Sequence, residues 1–497
     1  MASKLPDYVA SAQPVPPGAR TAWYKNTAQT YAGIMLWFVF WFQVPVGQEL
    51  VKDSGISNFL GGTLAQGLGV AFVGLIVAAL LCHFLTYLVP GLLGMKTGLP
   101  LYIVGTSTYG VQGGFIMPGF VMGLLQFGWL AVNAFFAGIL LCAPFGHGFP
   151  SVPHAIVATV WAVAGAFVGL KGIKYVARVA TFVPLIPLAI LVILFVASAG
   201  GLGSFDAAKL QEATKVEHTV AGATVTPSVS LTSWGVILML CTYIVGFFMT
   251  AGAAGADFGM NNRNTKDVQL GGLVGIALAT VVAGGLSLLI VAGAYGGGKA
   301  GESGAMATTN LMANIVGSKA GNVFMFLLAL AAFPAACFSS FIAANSFKTT
   351  LPKVNPWISV GLGALVAIVL AVTGWAGDAA RMFTIIGASF GPVCGAMMAD
   401  YLLAGQKWAG PRAGWNLAGW ISWVVGFAVG AIGMLVPAMA GKVPCPPVAA
   451  FVVGFVLYVI LAKAGLETKV LATEGGPEKA PAPAEAPAQE EPQPTEA

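Results

Sequence analysis

Unbroken apolar stretches of about twenty residues, each long enough to cross ~30 Å of hydrocarbon, recur along most of this chain. Inside lipid, only helices and closed barrels satisfy every backbone N–H and C=O. Barrel strands would alternate apolar and polar residues, whereas these runs are continuous, so the chain reads as an all-α polytopic membrane protein. Charged residues make up only 8% of its 497 positions, against roughly 25% in a soluble domain.

With Gly, Pro and charge as boundaries, about twelve spans are predicted, near residues 28–50, 59–90, 115–143, 153–170, 175–199, 232–258, 268–294, 320–349, 357–375, 380–404, 415–438 and 445–464. Lys and Arg sort unevenly between the connecting segments, 16 on the side of the amino terminus and 7 on the other, which predicts both termini in the cytoplasm. The net charge of +5 is then a topology signal and not the footprint of a nucleic-acid surface. Residues 1–27 read as a polar cytoplasmic segment without the apolar core of a signal peptide. Residues 28–464 read as the membrane domain, and 465–497, rich in Pro, Ala and Glu, as a disordered cytoplasmic tail. Residues 200–230 read as an outside loop. The six cysteines form no CxxC pair or Cys/His cluster, so neither a disulfide framework nor a metal centre is supported.

Two spans look interrupted: the first by FQVPVGQ at 42–48, the sixth by TAGAAGAD at 250–257. Each opens a group of five. Interrupted helices at matching places in two halves mark the site of transporters built from inverted repeats, although small residues also occur wherever membrane helices pack closely.

Polar side chains within spans are costly and mark pathways or helix contacts. Gln126 and Trp129 lie three apart on one helix face. Such an indole can stack on a flat heteroaromatic ring while the amide bonds the ring edge; an interhelical bond plus an interfacial Trp is the blander account. Asn133 shares their span. Thr242, Tyr243 and Thr250 lie in the sixth span beside Phe247 and Phe248, and Thr384 and Ser389 in the tenth. In the eighth, Ser339 and Ser340 offer hydroxyl oxygens to a small cation, unless they bond back to their own helix, and Asn345 presents an amide to a substrate edge. Glu49, Asp257 and Asp400 fall near span ends and read as solvated boundary charges. His83 reads as a packing histidine. With no carboxylate in mid-span, sodium is the simpler coupling ion.

Residues 94–133 (GMKTGLPLYIVGTSTYGVQGGFIMPGFVMGLLQFGWLAVN) resemble the loop and third helix of bacterial cytosine permeases, members of the nucleobase–cation symporter-1 family. The shared elements are KTGL at 96–99, GVQG at 110–113, Pro118 and QFGW at 126–129. VPPGAR at 15–20, GGTLAQGL at 61–68, TAGAAGADF at 250–258 with NRN at 262–264, and PVCGAMMADYLL at 392–403 extend the resemblance in the right order. It implies a five-plus-five inverted-repeat, LeuT-like fold with helices 1 and 6 broken at the site and helices 11 and 12 outside the repeat. It implies substrate contacts on Gln126, Trp129, Phe248 and Thr250. It also implies a sodium site made by the Ala336 carbonyl and the Ser339 and Ser340 hydroxyls, completed by first-helix carbonyls for which Gly33 and Leu36 are chosen. One departure stands out: where cytosine permeases carry an N-D-N run, this chain has Phe341, Ile342 and Ala343. Its AANS at 343–346 is instead similar to hydantoin and fungal purine or uridine carriers. The ring is therefore left open among cytosine, other pyrimidines, purines and hydantoins.

The expected function is import of a nucleobase-like heterocycle by cation symport, sodium before proton. No cofactor, no enzyme activity and no nucleic-acid partner are expected, and the chain is expected to act as a monomer in a bacterial-type inner membrane. Two alternatives stay open. One is a same-fold carrier of an amino acid or other small polar solute, which would need a carboxylate or quaternary-amine site. The other is a proton-coupled nucleobase permease working through Glu49, His83 or Asp257.

Overall fold

The computed structural model describes residues 5–26, 32–43, 59–171, 180, 182–215, 218–220, 223–225, 229–300 and 308–472. Among these, ten helices are long and apolar enough to cross a membrane, and an eleventh apolar helix is shorter. In chain order, a 3-10 turn at Ile34–Leu36 leads into α1 (Trp37–Gln43). There follow α2 (Gly67–Thr97), α3 (Phe115–Phe145), α4 (Val152–Lys171), α5 (Leu185–Ser204), α6 (Ser233–Ala253), α7 (Thr265–Gly296), α8 (Ser318–Thr350), the shorter α9 (Pro356–Val372), α10 (Ala379–Leu403), α11 (Leu417–Leu435) and α12 (Pro446–Lys463). Each falls on a predicted span. The motif at 44–48, Glu49 and the tail from residue 473 lie outside the described residues.

Local chemistry fixes several helix starts. The side chains of Thr232, Asn264, Asn355 and Asp378 accept hydrogen bonds from the Gly235, Asp267, Trp357 and Arg381 amides. These contacts cap α6, α7, α9 and α10 and satisfy donors that a helix leaves unpaired at its first turn.

The helices sort into two packing units. One is α3, α4, α8 and α9; in the other, α7 packs on α2, and α6 packs on α2. The α1 segment lies on α7, α5 bridges α7 and α8, and α10 runs between α6 and the α11–α12 pair. The packing of α2 on the α6 region depends on missing side chains. A Cβ at Gly252 would overlap the Thr86 side chain of α2, and one at Gly94 the Ala256 carbonyl. The small residues at 250–257 therefore serve close packing on α2. The chain does break there, in a single turn at Ala254 (φ −64°, ψ −4°) that separates α6 from a short helix at Gly255–Gly259. Thr250 still belongs to the continuous helix.

Three sequence expectations are corrected. Within the loop at 200–230, Ala207–Ala213 is helical, a hairpin pairs His218–Val220 with Ala223–Val225, and Phe59–Leu60 runs parallel to Val229–Ser230. Residues 465–471, assigned to the disordered tail, return to the protein: the Ala413 amide donates to the Lys469 carbonyl at 2.9 Å and the Leu471 amide to the Pro411 carbonyl at 2.7 Å. Asp400, read as a solvated boundary charge, is 3% exposed. It accepts from Arg412 Nη1 at 2.9 Å and from the Ser107 hydroxyl at 2.6 Å, while Arg412 Nη2 reaches Glu467 at 2.7 Å. A charge this deep persists only when paired and hydrogen-bonded, so the network clamps the α2–α3 connection to the chain flanking α11 and α12.

The amino-terminal segment is also held. Arg20 donates to the Met95 carbonyl at 2.6 Å, the Thr21 amide to the Asn261 carbonyl at 2.7 Å, and the Tyr8 hydroxyl to the Val111 carbonyl. The VPPGAR motif thus ties down the end of α2, and Thr21, which follows it, the chain after the short helix at Gly255–Gly259.

Candidate functional site

Where α3 of one unit meets α6 of the other, beside α10, five side chains converge. Trp129 on α3 is half-buried, and its indole N–H donates to the Thr250 hydroxyl on α6 at 3.1 Å. Phe247 stands edge-on to the indole at 5.0 Å and 87°. Phe383 on α10 stacks on it at 5.3 Å and 29°. Tyr243 meets Phe383 edge-on at 5.0 Å, and its hydroxyl donates to the Val39 carbonyl of α1 at 3.0 Å. The result is an aromatic box with one fixed polar corner, in which offset and edge-on pairs are the favoured arrangements.

Gln126 lies one turn from Trp129 on the same face and is buried. Its amide makes one hydrogen bond, from Nε2 to the Met122 thioether at 3.5 Å. A thioether is a weak acceptor, so the carbonyl oxygen and most of the donor capacity remain available. Asn133, a further turn along, is committed: it donates to the Ala332 carbonyl at 3.1 Å and accepts from Trp161 at 2.9 Å, stapling α3 to α8 and α4.

The structure shifts one residue of the expected set. Phe248 is fully buried behind Phe247, with ring centroids 4.9 Å apart, and it is Phe247 that meets Trp129. Helical geometry is the cause, since positions 247 and 250 share a face while 248 and 250 diverge. Phe383 was not anticipated; an aromatic residue in an apolar span carries no signal until packing shows what it faces. Asn345 is exposed on α8. Its neighbour Ser346 faces α3 instead, with its hydroxyl on the Gly119 carbonyl.

The expected sodium ligands face different neighbours. Ser340 donates back to the Ala336 carbonyl at 3.2 Å, and both pack against α4, where a Cβ on Gly165 would touch Ala336 and one on Gly169 would touch Ser340. Ser339 is buried on the same helix. Gly33 is pressed on α7, its amide donating to the Gly275 carbonyl at 2.7 Å, and its own carbonyl accepts from the Leu36 amide at 3.2 Å. The α8 hydroxyls and the first-span carbonyls are not brought together by these contacts.

The remaining polar positions are structural. Thr242, Thr384 and Ser389 bond back to carbonyls four residues earlier. Asp257 accepts from the Leu101 amide at 3.1 Å, anchoring the end of the α6 region to the chain after α2. His83 packs edge-on against Phe84 at 4.7 Å, in a space where Gly272 leaves no room for a side chain.

A sequence model described as permease for cytosine/purines, uracil, thiamine and allantoin matches residues 55–461. No curated protein matches the chain. Among solved structures, Mhp1 in its inward-facing conformation superposes with a TM-score of 0.63 at 15% identity, covering 95% of this chain and 97% of Mhp1. Mhp1, a nucleobase-cation-symport-1 family transporter, in a closed conformation with bromovinylhydantoin bound gives 0.59 at 14% identity, covering 93% and 97%. A Na+-coupled sialic acid symporter in a substrate-bound outward-open state gives 0.53 at 14% identity, covering 94% and 93%. At these identities the likeness shows the fold, which is the five-plus-five LeuT-like architecture.

Proposed function

This chain belongs to the family of permeases for cytosine/purines, uracil, thiamine and allantoin, which are transporters and not enzymes, and from that premise we propose that it carries a nucleobase or related flat heterocycle by symport with sodium. The observation that carries this reading is the half-buried Trp129 ring at the junction of α3, α6 and α10, its N–H held by Thr250, with the under-used Gln126 amide one turn away. A flat ring can take up the aromatic surface while its lactam or amidine edge bonds Gln126. That surface is already shaped by Phe247 and Phe383, so a bound ring enters a preformed apolar slot with few polar groups, the usual make-up of a small-molecule site. Mhp1 has been solved with bromovinylhydantoin, itself a flat heterocycle, and that supports the ring class.

Position in the fold supports the transport step. The box lies between the two packing units and beside the break that ends α6, so relative movement of the units can open it to one side or the other. For the cation, Ser339 and Ser340 are the ligands proposed; the Ser340 hydroxyl gives its hydrogen to the Ala336 carbonyl and keeps the Oγ lone pairs for a sodium ion.

Uptake of labelled cytosine, uracil, hypoxanthine and hydantoin, measured against a panel of amino acids in cells expressing the protein, tests the reading. One or more of the rings should be accumulated, and Trp129→Ala should abolish that uptake. Accumulation of an amino acid with indifference to all four rings would overturn it.

A further inference from the structure

Between α4 and α9, on the lipid-facing side and away from the substrate box, the surface is indented by an apolar groove of about 210 Å³. Val163 and Phe167 line one wall, Trp357 and Leu365 the other, and all four are exposed. Gly361 and Ala364 leave the space between them, since neither has a side chain large enough to fill it. At one end the groove is closed by the Phe167 and Trp357 rings, 5.8 Å apart, and the Lys171 ammonium sits 5.4 Å from the centre of the Trp357 ring. An indole and a lysine side by side at a helix end mark the depth of the lipid headgroups.

The charges that α4, α8 and the turn before α9 bring to that end are all positive. Lys171 closes α4, Lys348 ends α8, and Lys353 lies in the turn before α9; all three are exposed. No Asp or Glu occurs in the sequence between Asp53 and Asp206, or between Glu302 and Asp378, so neither segment carries an acid to neutralise them. The amino-terminal end of α9, where the aligned peptide dipoles leave a partial positive charge, adds to the positive field there. This is also the membrane face on which most of the chain's Lys and Arg fall.

We propose that this groove is a binding site for an anionic phospholipid, one acyl chain lying along Val163, Phe167 and Leu365 and the phosphate resting on Lys171 and Lys353. The apolar groove accepts any acyl chain; the lysines confer the preference for an acidic headgroup. Trp357 holds the Lys171 ammonium over its ring and thereby positions it at the mouth.

The test uses the full chain, purified in mild detergent, with phosphatidylglycerol or phosphatidylcholine of matched acyl chains added, and native mass spectrometry to count the lipids retained. Wild type should retain phosphatidylglycerol in preference to phosphatidylcholine. Lys171→Glu with Lys353→Glu should lower phosphatidylglycerol retention roughly tenfold and leave phosphatidylcholine unchanged. Both side chains are exposed, so folding is not at stake, and an unaltered melting curve checks it. Gly361→Phe fills the groove from a position where a Cβ meets nothing within 4 Å, and it should lower retention of both lipids. Equal retention of the two lipids by wild type would overturn the proposal, as would phosphatidylglycerol retention that neither variant changes. A dimer that dissociates in Gly361→Phe, with no lipid retained, would assign the groove to a second copy of the chain instead.

Discussion

The Trp129–Thr250 hydrogen bond joins helices from different packing units, so its two ends can be tested as a pair. Thr250→Val keeps the shape and removes the acceptor, and Trp129→Phe keeps an aromatic face and removes the donor. Each should weaken apparent substrate affinity by about 1 kcal/mol, and the double variant should be little worse than either alone. Uptake kinetics on the four proteins measure this coupling; strictly additive losses would show that the two side chains act separately. Gln126→Ala should raise the half-saturating substrate concentration with no change in melting temperature, because its amide holds only the Met122 thioether. Asn345→Ala, by contrast, should leave the rank order of competing rings unchanged, since Asn345 is exposed on α8; a flattened order would return it to the site. Sequence spacing was enough to pair Gln126 with Trp129, because three residues on a helix share a face. It was not enough to choose Phe247 over Phe248 or to find Phe383, whose place depends on how α6 and α10 pack.

Helices were legible because lipid demands long apolar runs, and caps such as Asn355–Pro356 mark their starts in the sequence itself. What joins the helices was less legible. Asp400 and Arg412 are twelve positions apart with nothing in the sequence to pair them, yet they meet at 2.9 Å in a buried cluster with Ser107, Tyr458 and Glu467. Removing one member of such a pair leaves the other charged and buried, which costs roughly 3–5 kcal/mol. Asp400→Ala and Arg412→Ala should each lower the melting temperature strongly, and the double variant should lose less than the sum of the two. A wild-type melting curve for Asp400→Ala would place the ion pair outside the forces that hold α10 to α11 and α12. A second seam runs along α10, where Gly387, Gly391 and Gly395 recur every four residues against α12. A Cβ at Gly391 would lie 2.8 Å from the Pro447 carbonyl oxygen, and one at Gly395 would overlap the Phe451 carbonyl. Helices that approach this closely rely on van der Waals contact between backbones, so α11 and α12, though outside the repeat, are fixed to the helix that borders the substrate box.

For the molecule as a whole, the open question is which ion drives it, and α8 makes that a matter of two hydroxyls. Ser340 donates to its own helix at the Ala336 carbonyl and lies against α4 at Gly169. A back-bond of this kind adds little to stability, because the carbonyl keeps its helical partner when the hydroxyl is removed. Ser340→Ala should therefore fold and melt as wild type does. If the hydroxyl oxygen ligates sodium during transport, the same substitution deletes one ligand from the ion. The sodium concentration for half-maximal uptake should then rise on the order of tenfold, the equivalent of one lost polar contact to a charged group. Ser339→Ala should act in the same direction. The segment that holds Gly33 and Leu36 is set against α7. Uptake of the preferred ring is to be measured across a sodium series at fixed pH, and again with the proton gradient collapsed at saturating sodium. Sodium-dependent uptake that survives the collapse, with the shift in both serine variants, is the expected result. Uptake indifferent to sodium and lost with the proton gradient would remove Ser339 and Ser340 from the coupling step and turn attention to Asp257, the carboxylate that ties the α6 region to the chain after α2.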